Sequence, residues 1–274
     1  GREGPLGTAL ETWRLITTWG SPPGWNMGLD EALLEAPAPD PDEGAEAGAP
    51  PVTVRFYSWS PDTLSLGYFQ RLVDVPPAAA FLGIEAPGVG PDTPLPSVVV
   101  RRLTGGGAIH HQGELTFSIT TSLEHPLYRG HVEGSYERVH AAIASALAEA
   151  GVMSSPRAER TPASEAEGTG MCFHHSSPVD LIWNERKGVG SAQRRKGGRV
   201  LHHGSIKLST TELETGVATV AGFASPGALA PLLRAAFERH FDVRLEPSVP
   251  TAAELEHAKA REAFFGSDEF LRRR

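Results

Sequence analysis

The chain reads as an α+β fold in which a mostly antiparallel or mixed sheet is flanked by helices. Three observations predict it. Short segments with period-2 apolar alternation recur along the chain, each bounded by Gly, Pro, Asn or Asp. Helical periodicity is confined to one early segment, one central segment and the C-terminal third. Strands and helices do not follow a βαβ rhythm, and no internal repeat recurs at a fixed period.

Residues 1–11 are Gly-rich without periodicity and are expected to form a loose end. Residues 12–16 alternate as a strand, and Ser21-Pro22-Pro23-Gly24 is a turn cluster. Asn26 is placed to cap a helix reaching about residue 36, with Met27, Leu29, Leu33 and Leu34 as its apolar stripe. Residues 37–51 are acidic and Pro-rich and lack bulky apolar side chains, so a solvated loop is expected. Strands follow over 52–59 and 63–69, separated by Pro61-Asp62. A Pro/Gly-rich loop at 86–97 leads to a short buried strand at 98–102 and a further strand at 114–121. Val139, Ile143 and Leu147 mark a helix over 135–150, with Gly151 at its stop position. Residues 154–170 are small and polar and, like 37–51 and 86–97, are predicted to be mobile. A hairpin over 179–194 turns through Asn184 to Lys187, and a third strand at 200–208 follows Lys196-Gly197-Gly198. Helices at 226–241 and 251–265 close the chain, the second opened by a Thr251/Glu254 capping pattern. These elements amount to one domain over residues 12–270.

Composition excludes several function classes. The 274 residues carry 25 basic and 33 acidic side chains, a formal charge of −8, which argues against nucleic-acid binding because that rests on neutralising phosphates. No apolar run approaches the ~20 residues of a membrane span, and the N-terminus lacks a signal pattern. One cysteine cannot form an internal disulfide, so the expected setting is cytoplasmic.

Three segments hold residue types suited to chemistry. Arg101-Arg102-Leu103-Thr104-Gly105-Gly106-Gly107 puts three glycines between strands, where close backbone approach or positive φ is wanted. The adjoining arginines suit a carboxylate, a phosphate or a developing oxyanion, although a plain turn with surface arginines has the same sequence. Cys172, between Met171 and Phe173, is by itself an ordinary small buried hydrophobe unless a cation accompanies it. A thiol with pKa about 8.5 is ~3% ionised at pH 7, and moving it down two units takes roughly 2.7 kcal/mol. An ammonium ~4 Å away supplies about 4 kcal/mol at an effective dielectric of 20. Lys187, flanked by the Gly188 and Gly190 stretch, is such a cation, yet sequence spacing does not show that it meets Cys172. The pairs His110-His111, His174-His175 and His202-His203 invite a metal reading, with Cys172, His174 and one of His202 or His203 as the ligand set. Adjacent strand residues point to opposite faces, so none of the three pairs chelates one ion from a strand.

Taken together, the segments resemble the superfamily of lipoate-protein ligases, biotin-protein ligases and LipB octanoyltransferases, and within it the cysteine-dependent octanoyltransferase (LipM) branch. The pieces are Trp25-Asn-Met-Gly-Leu-Asp-Glu-Ala-Leu-Leu34, Val54-Arg-Phe-Tyr-Ser-Trp59, Thr63-Leu-Ser-Leu-Gly-Tyr-Phe-Gln70 and Val100-Arg-Arg-Leu-Thr-Gly-Gly-Gly107. Glu114-Leu-Thr-Phe-Ser118, Met171-Cys-Phe173, Asp180-Leu181, Arg186-Lys-Gly-Val-Gly-Ser-Ala-Gln193 and His203-Gly-Ser-Ile206 follow in order. The resemblance implies a biotin/lipoate-protein ligase catalytic-domain fold, with Cys172 as nucleophile and Lys187 as the lysine that lowers its pKa. It implies substrate-binding roles for Arg102, Thr104, Gly105, Gly106, Gly107, His111, Gly190, Ser191, Ala192, Gln193, His203 and Gly204. The implied reaction takes octanoyl from the phosphopantetheine thioester of acyl carrier protein onto Cys172. The acceptor is then a lysine of a lipoyl domain, from a 2-oxoacid dehydrogenase E2 or the glycine cleavage H protein. A thioester donor requires no ATP, metal or other cofactor. The chain departs from the branch at Gln112, at Ala108 and at His174-His175, so pocket shape is less determined than the nucleophile. An ATP-dependent lipoate ligase, an amidotransferase between carrier domains, and a non-enzymatic scaffold or metal-binding module remain the alternatives. A ligase of this fold commonly has a small extra domain, whereas only helices are expected beyond Ser209.

Overall fold

The computed structural model describes residues 10–36 and 50–273. The expectations for the N-terminal end and for most of the 37–51 loop therefore lie outside the described residues.

Two sheets carry the fold. The larger has eight strands in the order β11-β1-β2-β6-β10-β9-β8-β7. These are β1 (Glu11–Ser21), β2 (Thr53–Trp59), β6 (Glu114–Ser122), β7 (Ser155–Pro156), β8 (Leu181–Trp183), β9 (Arg186–Lys196), β10 (Arg199–Lys207) and β11 (Val243–Ser248). The smaller has the order β4-β3-β5, built from β3 (Thr63–Leu66), β4 (Val98–Arg101) and β5 (Ile109–His111). From β2 to β7 every pairing in the large sheet is antiparallel, but β1 pairs parallel with both β2 and β11. The sheet is thus mixed, within the predicted fold class. The parallel pairs arise because α1 (Pro23–Leu34) connects β1 to β2, and α2 (Pro76–Phe81) lies between the parallel β3 and β4. A six-residue helix rich in Pro and Ala carries no readable periodicity, so α2 is absent from the sequence expectation.

Helix α3 (Val132–Glu149) packs on α4 (Pro226–Phe241), and both lie on one face of the large sheet. Val139, Ile143 and Leu147 are fully buried there with Leu229, Leu233 and Phe237, each worth about 1.5–3 kcal/mol relative to exposure. The opposite side holds α1 and the small sheet, closed by α5 (Ala252–Arg261) and α6 (Asp268–Leu271). Helix α3 begins three residues before the expected start and ends one before Ala150, with Gly151 at φ 82° as the stop.

Some local expectations change. Helix α1 starts at Pro23, whose fixed φ suits a first helical position, and Asn26 is not its cap. Asn26 is buried and donates to Ser58 O at 3.1 Å, tying the helix to β2. Strand β3 stops at Leu66 rather than running to residue 69. Helix α5 has the predicted capping box but ends at Arg261, and beyond Ser209 the chain also supplies β11. The 154–170 segment is tied to its surroundings: Ala163 N donates to Glu185 O at 2.6 Å, and Ala166 N to His174 O at 3.0 Å.

Candidate active site

Hairpin β8–β9 turns on Asn184 and Glu185, both left-handed at φ 50° and 59°, as a two-residue hairpin demands. That turn carries Lys187 into β9 and buries its side chain. Lys187 Nζ lies 3.6 Å from Cys172 Sγ and donates to Cys172 O at 3.0 Å and His175 O at 2.9 Å. Asp180, just before β8, closes the arrangement at 2.8 Å from the same nitrogen. Burial disfavours the ammonium, but the Cys172 sulfur and the Asp180 carboxylate outweigh it and hold the Lys187 pKa above its ordinary value. Asp180 is itself oriented by the Ser177 N–H at 2.8 Å.

Cys172 opens a single 3-10 turn, Cys172–His174. The glycine loop lies against it: Cys172 N donates to Ala108 O at 2.7 Å, and Ala108 N donates to Gly170 O at 2.8 Å. A Cβ on Gly107 would fall 2.7 Å from Cys172 N and 2.8 Å from its Cα, so only glycine permits this approach. A Cβ on Gly190 would fall 2.7 Å from Lys187 Cε and 3.0 Å from Nζ, so that glycine leaves the room the lysine occupies.

Both arginines are buried scaffolding. Arg102 donates to Ser65 O and Oγ, Thr104 Oγ1, Gly105 O and Gly107 O at 2.6–3.2 Å. Arg101 donates to main-chain oxygens of Gly67, Gln70, Phe270 and Leu271 at 2.5–2.9 Å. Neither is the surface cation that a plain turn would carry. Arg102 pulls the Gly105 and Gly107 carbonyls toward its guanidinium, while the Gly105, Gly106 and Gly107 N–H groups have no acceptor among the described residues.

A narrow slot runs beside Cys172. Arg102, Gly105, Gly106, His111, Gly190, Ser191, Ala192, His203 and Gly204 line it. Three predicted site residues stand differently. Thr104 is buried behind the wall, where its hydroxyl meets His203 Nε2 at 2.5 Å. Gly107 backs the Cys172 main chain and does not line the slot. Gln193 does not line it either; its Nε2 donates to Ser135 Oγ at 2.7 Å, and it faces an outer groove that also borders Gly105 and Gly106. Gln193 lies farther along β9 than the slot-lining Gly190, Ser191 and Ala192.

Sequence reading missed part of the wall: Met27, Trp59, Ile109, Thr116 and Ser205 also line the slot. It also missed what stands behind it. Glu114 meets His111 Nδ1 at 2.6 Å and accepts from Thr116 Oγ1 at 2.7 Å, Ser205 Oγ at 2.9 Å and Lys207 Nζ at 2.7 Å. Burial would raise the Glu114 pKa, but Lys207 and His111 reverse this and lower it. Burial drives His111 down to about 4, so its ring is neutral near pH 7. Asp30 of α1 pairs with Arg55 at 2.5 Å and reaches His203 Nδ1 at 3.3 Å. The alternation of Glu114, Thr116 and Ser118 on β6 is the local signal that a polar face points inward. His110-His111 and His202-His203 lie on strands β5 and β10, where successive side chains point to opposite faces, and among the described residues no three His, Cys, Asp or Glu side chains converge as a metal cluster.

Residues 22–221 match the lipoyl protein ligase A/B catalytic domain. The chain belongs to that family. Within it, the chain is 42% identical over 199 residues to the octanoyltransferase LipM of Moorella thermoacetica, covering 73% of this chain and 66% of the relative. It is 36% identical over 206 residues to the octanoyltransferase LipM of Bacillus subtilis, covering 74% of this chain and 67% of the relative. The chain thus spans about two thirds of the length of these curated relatives, and the expected acyltransferase class agrees with their names. Among solved structures, a lipoate-protein ligase A bound with ATP superposes with TM-score 0.69 at 20% identity, covering 95% of this chain and 98% of that one. A bi-partite lipoate protein ligase described with its E2 lipoyl domain, from Thermoplasma acidophilum, gives 0.69 at 17% identity, with 96% of each chain covered. These likenesses show the ligase-type catalytic-domain fold. No described helix is long and apolar enough to cross a membrane.

Proposed function

We propose that this chain is an octanoyltransferase of lipoate biosynthesis that works through a Cys172 thioester. The observation that carries the reading is the Lys187 ammonium 3.6 Å from Cys172 Sγ at the wall of an apolar slot. At that separation the ammonium attracts the sulfur's negative charge directly, and Asp180 holds the ammonium in place. In the first step the thiolate attacks the thioester carbonyl of octanoyl-acyl carrier protein, the C–S bond to phosphopantetheine breaks, and octanoyl stays on Sγ. In the second step the lysine amine of a lipoyl domain attacks the enzyme thioester and leaves as an amide, returning the thiolate. The unpartnered amides of Gly105 and Gly106, which line the slot, suit the oxyanion of each tetrahedral adduct, and Arg102 holds that loop in place. The neutral His111 and the Met27 and Ile109 side chains fit an apolar chain in the slot. Because the donor is already a thioester, the reading needs no nucleotide or metal, and it places the reaction in the reducing cytoplasm, where a free thiol persists.

The test is transfer from octanoyl-acyl carrier protein to an apo-lipoyl domain without ATP, followed by the mass of the domain. The reading expects one added octanoyl group per domain. Modification that instead requires free octanoate and ATP would assign the chain to the ligases.

A further inference from the structure

A polar chain runs from the slot into the interior beneath α3. Ser191 lines the slot together with Cys172 and also borders the outer groove. Its Oγ lies 2.7 Å from His140 Nε2 and 2.8 Å from His202 Nε2. His140 Nδ1 lies 2.6 Å from Val179 O, and His202 Nδ1 lies 3.2 Å from Tyr128 Oη. Both rings are buried, His140 at 1% and His202 at 0% exposure.

One acceptor sets every proton in this chain. Val179 O can only accept, so His140 Nδ1 carries the hydrogen, and a neutral ring leaves Nε2 with its lone pair. Ser191 O–H therefore donates to His140 Nε2. Ser191 Oγ accepts from His202 Nε2–H, and His202 Nδ1 accepts from Tyr128 O–H. Burial lowers the pKa of both histidines and keeps them neutral. The groups around His140 are Asp180 and Lys187 from the hairpin side, Tyr136 one turn earlier in α3, and His202 of β10. His202 also feels the charges of His203 and Arg195 and packs against the Phe117 and Tyr136 rings.

We propose that Ser191 and His140 form a proton relay for the second half-reaction, accepting the proton that the acceptor lysine must lose. The inference rests on the thioester reading above. When the amine adds to the Cys172 thioester carbonyl, the adduct nitrogen carries one proton too many. Ser191 Oγ takes that proton as its own passes to His140 Nε2. The C–S bond then breaks, the amide departs, Cys172 is left as thiolate and His140 as imidazolium, and the imidazolium returns its proton through Ser191 to solvent. Thioester exchange in the first half-reaction involves no amine and does not call on the relay.

Ser191→Ala and His140→Gln test this with the half-reactions separated. Octanoyl-acyl carrier protein loads the enzyme, and intact mass follows loading and then discharge to an apo-lipoyl domain or to hydroxylamine, whose adduct nitrogen is acidic enough to lose its proton to water. The expected result is discharge to the lipoyl domain slowed at least about tenfold more than loading and at least about tenfold more than hydroxylamine discharge. Unchanged discharge to the domain, or loading and hydroxylamine discharge that fall in parallel with it, overturns the relay. Ser191→Ala removes a single oxygen and carries the test if His140→Gln does not fold. A wild-type chain that never loads contradicts the thioester reading itself, and the relay with it; a chain that loads and leaves both variants unimpaired contradicts the relay alone.

Discussion

Lys187 serves both the fold and the chemistry, and two substitutions separate these roles. Lys187→Ala removes the cation beside Cys172 and strands a buried Asp180, so it is expected to cost about 3–5 kcal/mol of stability and at least about tenfold in the rate of thioester formation. Adding Asp180→Asn removes the stranded charge, so denaturant titration of the double variant recovers much of the stability while the loading rate stays low. Gly190→Ala leaves both charges in place but pushes on Lys187 Cε and Nζ, and a slower loading rate with an intact far-ultraviolet spectrum is expected. Residue identity made Cys172, Lys187 and the glycine loop legible as candidates. Their meeting was not legible, because it depends on the hairpin turn at Asn184-Glu185 and on the pairing of Ala108 with Met171. Asp180, Glu114 and Asp30 stayed hidden for the same reason: each is an ordinary carboxylate until a distant strand or helix supplies its partner.

At the scale of elements, local signals and long-range ones part company. Helix α5 announces itself because its capping box is complete within four residues, with Thr251 Oγ1 accepting from Glu254 N at 3.2 Å and Glu254 Oε2 accepting from Thr251 N at 2.8 Å. Thr251→Ala is expected to lower stability by roughly 1 kcal/mol in a urea titration, with transfer per folded molecule unchanged. Strand β11 was not legible, since Val243 and Leu245 alternate over too few residues and the strand exists by pairing with β1, more than two hundred positions earlier. Strand β5 is three residues long and is likewise set by its partner, β3. The 154–170 segment looked mobile because its composition is small and polar, yet Ser164 Oγ accepts from Lys187 N at 2.9 Å and so helps hold the hairpin.

For the molecule as a whole, the buried polar groups predict how stability depends on pH. His111 titrates near 6.5 when unfolded and about 4 when folded, so between these values the unfolded chain binds the extra proton. Its contribution is complete above pH 6.5 and is lost as pH falls toward 4, by up to about 1.4 kcal/mol per unit. His140 and His202 are shifted in the same direction by burial and add to the slope. Denaturation midpoints that stay level or rise between pH 6.5 and 4.5 would contradict this, and His111→Gln is expected to flatten the dependence. The same enclosure leaves Cys172 at the slot as the chain's one thiol. The central claim therefore reduces to intact-mass measurement of the protein mixed with octanoyl-acyl carrier protein, without ATP. A gain of one octanoyl group that disappears in Cys172→Ser is predicted; no gain, or a gain that survives the substitution, would contradict it.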